Sequence, residues 1–168
     1  RHYPFARALV NSGRLSKPCS YPSSPLNTPD SDDFDAGVEP GSPCPDAPVG
    51  GGNGSGWLLN HIGNRFGILL KGEVDSNRLD HLVNSVNALG QALDLICIDT
   101  ADRQHGEAVY LRDDKGVLNQ RYDLGESAVY LIRPDQHVAA RWRHFDPDAV
   151  AAALRRALGS ELTTEQAA

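Results

Sequence analysis

The stretch that most constrains this chain is Ala128 to Trp142, AVYLIRPDQHVAARW. Val129, Tyr130, Leu131 and Ile132 are apolar without a break, as in a strand covered on both faces. Pro134 and Asp135 then supply turn chemistry: Pro presets φ at the first corner, and Asp can hydrogen-bond its own backbone. The return alternates, with Val138, Ala140 and Trp142 toward one side and His137, Ala139 and Arg141 toward the other. The pattern predicts a β-hairpin whose first arm is central and whose second lies nearer an edge.

From Gly56 onward the chain reads as cover for that hairpin. Ser55 is placed to cap a short helix over GWLLNHIGN, with Trp57, Leu58 and Ile62 inward. RFGILLK, residues 65–71, predicts a buried strand, and residues 72–75 a turn. Ser76 then caps a helix whose Leu79, Leu82, Val83, Val86 and Leu89 form one stripe, ended by Gly90. Residues 93–99 predict a second buried strand, so the two strands and their helix make a right-handed parallel crossover. Residues 100–115 read as loop. GVLNQRYDLG follows as a short helix with Val117, Tyr122 and Leu124 inward. After the hairpin, Asp146 caps a last helix, Pro147 suits its first turn, Val150, Leu154 and Leu158 face the sheet, and Gly159 stops it. Residues 160–168 are expected to fray. The predicted order is β-α-β-α-β-β-α around a mixed central sheet, an α/β sandwich with an extra helix in front.

Ahead of this body, residues 17–54 hold eight of the eleven prolines, the acidic residues Asp30, Asp32, Asp33 and Asp35, and the glycines Gly50, Gly51, Gly52 and Gly54. This composition predicts a linker or wrapping arm, stiffened by Pro, that Leu26, Phe34 and Val38 could anchor in surface pockets. The aspartate run lacks the glycine and terminal Glu of a calcium loop and is expected to be solvated. GGGNGSG has no Lys-Ser or Lys-Thr after it and is read as a flexible joint, not a phosphate cradle. Residues 4–12, with Phe5, Ala6, Leu9 and Val10 at helical spacing, predict a short helix stopped by Gly13.

A net charge of −6 argues against nucleic acid or an anionic membrane as partner, since both need clustered Lys and Arg. No apolar run approaches the ~20 residues of a membrane span. RHYPFARALV has no long apolar core, so no signal peptide is expected there, and a start on Arg is expected of a piece of something longer. Three sparse cysteines suit a reducing cytoplasm. Cys97 sits in an apolar strand as a buried, inert thiol; whether Cys19 and Cys44 pair is left open by their spacing. The histidines His2, His61, His81, His105, His137 and His144 show no metal spacing. His105 with Asp102 and Glu107 forms the one polar loop cluster that merits attention. No catalytic, cofactor-binding or metal-binding residue is assigned within the chain.

Two segments carry a family resemblance. LIRPDQHVAARW, residues 131–142, resembles the end of the C-terminal, thioredoxin-like domain of FAD-dependent aromatic-ring monooxygenases of the phenol and hydroxyphenylpropionate hydroxylase type. Asn11-Ser12-Gly13-Arg14-Leu15-Ser16, then Tyr21 and Ser24-Pro25-Leu26, are similar to the segment that leaves the FAD and substrate domains of these enzymes. The resemblance implies a thioredoxin-like fold over residues 55–159, residues 1–16 as the tail of an upstream FAD and substrate domain, and residues 17–54 as the connector. A working thioredoxin carries C-x-x-C after its first strand and a cis-proline before its hairpin; Lys71-Gly72-Glu73-Val74-Asp75-Ser76 and Leu124-Gly125-Glu126-Ser127 stand there instead. The resemblance therefore implies a non-catalytic domain whose parent uses FAD, NAD(P)H and oxygen on a phenolic ring. Its partners would be the upstream domains of the same chain and, in some members, a second subunit. The alternative is a stand-alone, redox-inactive thioredoxin-like module that docks a basic partner through its hairpin edge and residues 100–116.

Overall fold

The computed structural model describes residues 18–51, 54–100 and 108–160. The helix expected over residues 4–12, the Asp102, His105 and Glu107 cluster, and the tail after residue 160 lie outside the described residues. The strands are β1 (Pro48–Gly51), β2 (Gly54–Trp57), β3 (Phe66–Lys71), β4 (Leu93–Ile98), β5 (Val109–Arg112), β6 (Ala128–Ile132) and β7 (Val138–Trp142). The helices are α1 (Ser76–Ala88), α2 (Val117–Tyr122) and α3 (Pro147–Ala157), with a 3-10 turn over Leu58–His61. The strands form one sheet in the order β2-β1-β5-β4-β3-β6-β7. β3, β4 and β5 run parallel; β6 is antiparallel to β3, β7 to β6, and β1 to both β5 and β2. The predicted β-α-β-α-β-β-α path is present as β3-α1-β4-α2-β6-β7-α3, and the fold is a thioredoxin-like α/β sandwich.

Three strands were not expected. The glycine run read as a flexible joint contributes to β1 and β2, and part of the region read as loop, Val109–Arg112, is β5. Glycines have no side chains to alternate, and four residues are too few for a period to register. At Gly50 a Cβ would lie 2.4 Å from an Asp114 carboxylate oxygen, so the exposed Asp114 side chain occupies the space that glycine leaves. The predicted helix capped by Ser55 is also absent. Ser55 lies in β2, Trp57 remains extended and half-exposed, and only Leu58–His61 turns. Leu58 and Ile62 are buried as expected.

The helix boundaries follow capping chemistry. α1 is capped by Asp75, not Ser76; the Asp75 carboxylate accepts from the Asn77 amide at 2.8 Å. Gly90 ends it at φ +68°, with the Gln91 amide donating back to the Val86 carbonyl. Asp146 caps α3 through the Asp148 amide, with Pro147 in the first turn. Leu158 was expected to face the sheet, but the helix ends at Ala157 and Leu158 is 38% exposed.

Side-chain alternation sorts the core into two faces. Ile68, Leu70, Val129 and Leu131 pack with Leu79, Leu82 and Val86 of α1 and with Val150, Ala151 and Leu154 of α3. Leu69, Ile96, Tyr130 and Ile132 point to the other face, toward Leu118, Tyr122, Leu58, Ile62, Val38 and Cys44. A β-bulge between Leu131 and Ile132 pairs Ile132 with Val138 and Leu131 with Ala140. Val138 therefore packs on the Tyr130 face, while Ala140 and Trp142 pack on the other. The strict alternation expected for the return strand fails at that point.

Residues 18–47 occupy the place of a further layer. Thr28 donates to the Ala139 carbonyl at 2.9 Å, Gly41 to Val138 at 2.7 Å, and Cys44 to Gln136 at 2.8 Å, while the Val138 amide donates to Ser42 at 3.0 Å. Pro43 bridges His137. These bonds run along the outer edge of β7 and close it.

Leu131, fully buried on β6, which is paired on both sides, belongs to the core layer that packs with α1 and α3. Leu131→Ala is expected to lower the unfolding free energy by roughly 2–5 kcal/mol. Urea unfolding followed by tryptophan fluorescence measures this; an unchanged midpoint would contradict the central placement.

Candidate functional site

Two regions concentrate polar side chains on this scaffold: the carboxyl ends of the parallel strands, and the face of β7 under the arm. At the strand ends, the turns after β3 and before β6 approach each other. Gly72 has φ +104°, and a Cβ there would meet that of Ser127 at 3.0 Å. Beside this contact opens a cavity of about 660 Å³. Leu70, Val74, Leu79 and Cys97 line it with apolar surface, and Lys71, Glu73, Asp75, Asp99 and Glu126 line it with charge. Lys71 Nζ donates to Asn119 Oδ1 at 3.2 Å and lies 4.0 Å from Asp99. Asp99 sits at φ +53° and accepts from the Asp113 amide at 2.9 Å; Asp113 in turn caps α2 through the Leu118 and Asn119 amides.

One sulfur lies in this cavity wall. Cys97 is the sulfur there. Burial pushes its thiol up to about 11, so it stays protonated at neutral pH. Cys44 lies on the opposite face of the sheet against Tyr122; burial raises its thiol to about 12, outweighing the hydrogen bond to Tyr122. Burial raises the Tyr122 phenol far above its ordinary value as well. All three cysteines are free thiols, Cys19 exposed and the other two buried.

Two of the described histidines are partnered. His137 is buried; its Nε2 lies 2.9 Å from the Cys19 carbonyl and its Nδ1 3.0 Å from the Asp135 carbonyl. His81 of α1 meets Asp148 of α3 at 3.0 Å. Among the described residues no group of His, Cys, Asp and Glu is placed to hold a metal ion.

The second region corrects the reading of the aspartate run as solvated at Asp30 and Asp32, while Asp33 and Asp35 stay exposed. Arg141 is 5% exposed and points into the arm. Asp30 receives its Nε at 3.0 Å and Nη2 at 2.7 Å, and the Ala36 carbonyl receives Nη1 at 2.9 Å. Phe34 lies between two guanidinium groups, Arg141 at 4.2 Å and Arg143 at 3.9 Å from its ring centroid. Asp32 accepts the Arg143 amide at 2.7 Å, and Asp123 pairs with the Arg143 guanidinium at 2.6 Å. Tyr130 donates to the Tyr122 carbonyl beneath. The sequence signal was present: Arg141 occupies a strand position whose neighbours are apolar, so its charge needed a partner from elsewhere in the chain.

With this geometry described, comparisons place the fold among known proteins. No protein-family model and no curated protein sequence matches the chain. Solved structures do. The flavin-dependent monooxygenase PieE superposes at TM-score 0.67 and 22% identity over 89% of this chain. Aklavinone-11 hydroxylase superposes at 0.61 and 21% over 83%. A thiol peroxidase from Chromobacterium violaceum superposes at 0.57 and 14% over 71% of this chain and 87% of its own. The chain spans about a quarter, 26%, of each of the two hydroxylases. At these identities the likeness establishes the fold.

Two outcomes follow from the buried groups. Iodoacetamide at pH 8 should modify Cys19 alone in the native protein, because only about one Cys97 thiol in a thousand is ionised there and Cys44 still fewer. Intact-mass analysis reads one adduct before unfolding and three after. For Asp123, burial works to raise the carboxyl, but the bonds from Arg143 and the Ala36 amide outweigh it and hold it below the usual range. A carboxyl lowered by folding contributes stability that is complete above about pH 4 and lost as pH falls through the folded value. Asp123→Asn should therefore lower the urea midpoint at pH 7 and flatten its fall between pH 5 and pH 3. Parallel curves for parent and variant would contradict this.

Proposed function

We propose that this chain is the C-terminal, non-catalytic domain of a flavin-dependent monooxygenase that hydroxylates an aromatic ring. The observation that carries the reading is the superposition on PieE over 89% of the chain, a span too large for the thioredoxin-like body alone and therefore taking in part of residues 1–54. The two sequence segments that resemble these hydroxylases lie at opposite ends of that unit. FAD, NAD(P)H and oxygen are the reagents of the parent, held upstream of these residues.

The described residues do not fit FAD themselves. A dinucleotide pyrophosphate needs a glycine-rich strand-to-helix turn with its helix N-terminus free for the anion. The β3–α1 turn offers one glycine, Gly72, and places Glu73 and Asp75 where the phosphates would lie. No step of the chemistry is assigned to this chain. Its role is to pack against the FAD and substrate domains, steady them and take part in subunit contact, in the cytoplasm. Among the described residues no helix is long and apolar enough to cross a membrane.

A second reading, an independent binding module, is favoured by the cavity at the strand ends. Docking along the hairpin edge is not part of it, because the arm already pairs with β7. The two readings separate by experiment. The chain purified alone should be colourless after dialysis, and the longer protein from the same reading frame should retain FAD and consume NAD(P)H faster when phenols are added. Stoichiometric flavin held by this chain alone, or a longer protein free of flavin, would overturn the first reading.

A further inference from the structure

We infer that the cavity at the carboxyl ends of β3, β4 and β5 docks a basic segment of a protein partner, which enters by an Arg or Lys side chain. This goes beyond the domain assignment and does not depend on a flavin enzyme upstream. The cavity has the volume for a side chain of that length and a floor, Leu70, Val74, Leu79 and Cys97, without charge. Lysine and arginine bury their aliphatic stems on such surfaces while their heads reach polar groups.

The polar groups are set around the rim. Asp75 is committed to capping α1, and Asp99 to the Asp113 amide and Lys71. Lys71 itself is held by Asn119 and Asp99. Glu73 and Glu126 are exposed and have no hydrogen bond or ion pair among the described residues. They stand on the two turns that meet at Gly72. The cavity thus presents an apolar floor, satisfied inner carboxylates and two free outer ones, an excess of negative charge that selects a cation and rejects an acidic peptide. A thiol that stays neutral in the floor leaves recognition without covalent chemistry.

The test uses the whole 168-residue chain, labelled with 15N, and the peptide acetyl-Ala-Leu-Arg-Leu-Ala-amide. Saturable shifts are expected at the amides of residues 71–76, 97–99 and 126–127. The E73Q/E126Q double variant should bind about five- to tenfold more weakly, the size expected for two exposed ion pairs, with its other resonances unchanged. Binding should weaken with added salt, and the citrulline peptide should bind at least about five- to tenfold more weakly, as the double variant does. No saturation at millimolar peptide, shifts centred elsewhere, or equal binding by the citrulline peptide or the double variant would overturn the proposal. Agmatine binding as tightly as the peptide would overturn it in favour of a small organic cation. The same shifts on raising protein concentration alone would overturn it in favour of a second copy of the chain.

Discussion

The ion pair between Arg141 and Asp30 is the contact on which the architecture turns. A guanidinium in the middle of an edge strand would ordinarily face water. Here Tyr130, Phe34 and the Ala36 carbonyl surround it, and Asp30 meets it with both carboxylate oxygens. An ion pair of this kind contributes little net stability when formed, yet removing Asp30 leaves the buried Arg141 charge without its partner carboxylate. Its consequence is registry. The ion pair goes with one alignment, in which Thr28 pairs with Ala139 and Gly41 with Val138, of a proline-rich segment that has no periodic pattern of its own.

The arm then does what a helix does elsewhere in the fold. α1 and α3 cover one face of the sheet. The other face has only the six-residue α2 and the 3-10 turn, too little to cover Leu69, Tyr130, Ile132 and Val138. Val38, Cys44, Ala47 and Val49, supplied by the arm and the strand that follows it, complete that side. Prolines suit this role because an extended segment pinned by a few backbone bonds loses less entropy on ordering if its unfolded state is already restricted.

What could be read from sequence divides along the same line. The β3-α1-β4 unit, α3 and the hairpin were legible because apolar residues repeat at the spacing of their own element and Asp, Pro and Gly stand at the ends. The arm was not, because its order comes from partners about 110 residues away, as Asp30 with Arg141 and Asp32 with the Arg143 amide. β1 and β2 were hidden by glycine, and the bulge at Leu131 by the regular alternation around it. The absence of a reactive sulfur pair was plain in Lys71–Ser76. The cavity left beside that turn was not, since it is bounded by three strands and two turns that only the fold assembles.

These features bear on which edges and ends of the sheet stay open among the described residues. A sheet can recruit another chain along an open edge or at its strand ends. Along β7 the edge groups are already taken by residues 28 and 41–44. At the far edge β2 is four residues long and glycine-rich, a poor template for extending a ladder. The helices α1 and α3 shield one face around the hairpin, and the arm shields most of the other. Among the described residues the strand ends at β3, β4 and β5 remain, with a cavity beside the two turns that meet at Gly72. In an open α/β sheet this is where ligands bind, because the strand ends diverge there and no neighbouring backbone fills the gap. The absence of a Cβ at Gly72 lets the two turns approach there, since a Cβ would meet that of Ser127 at 3.0 Å.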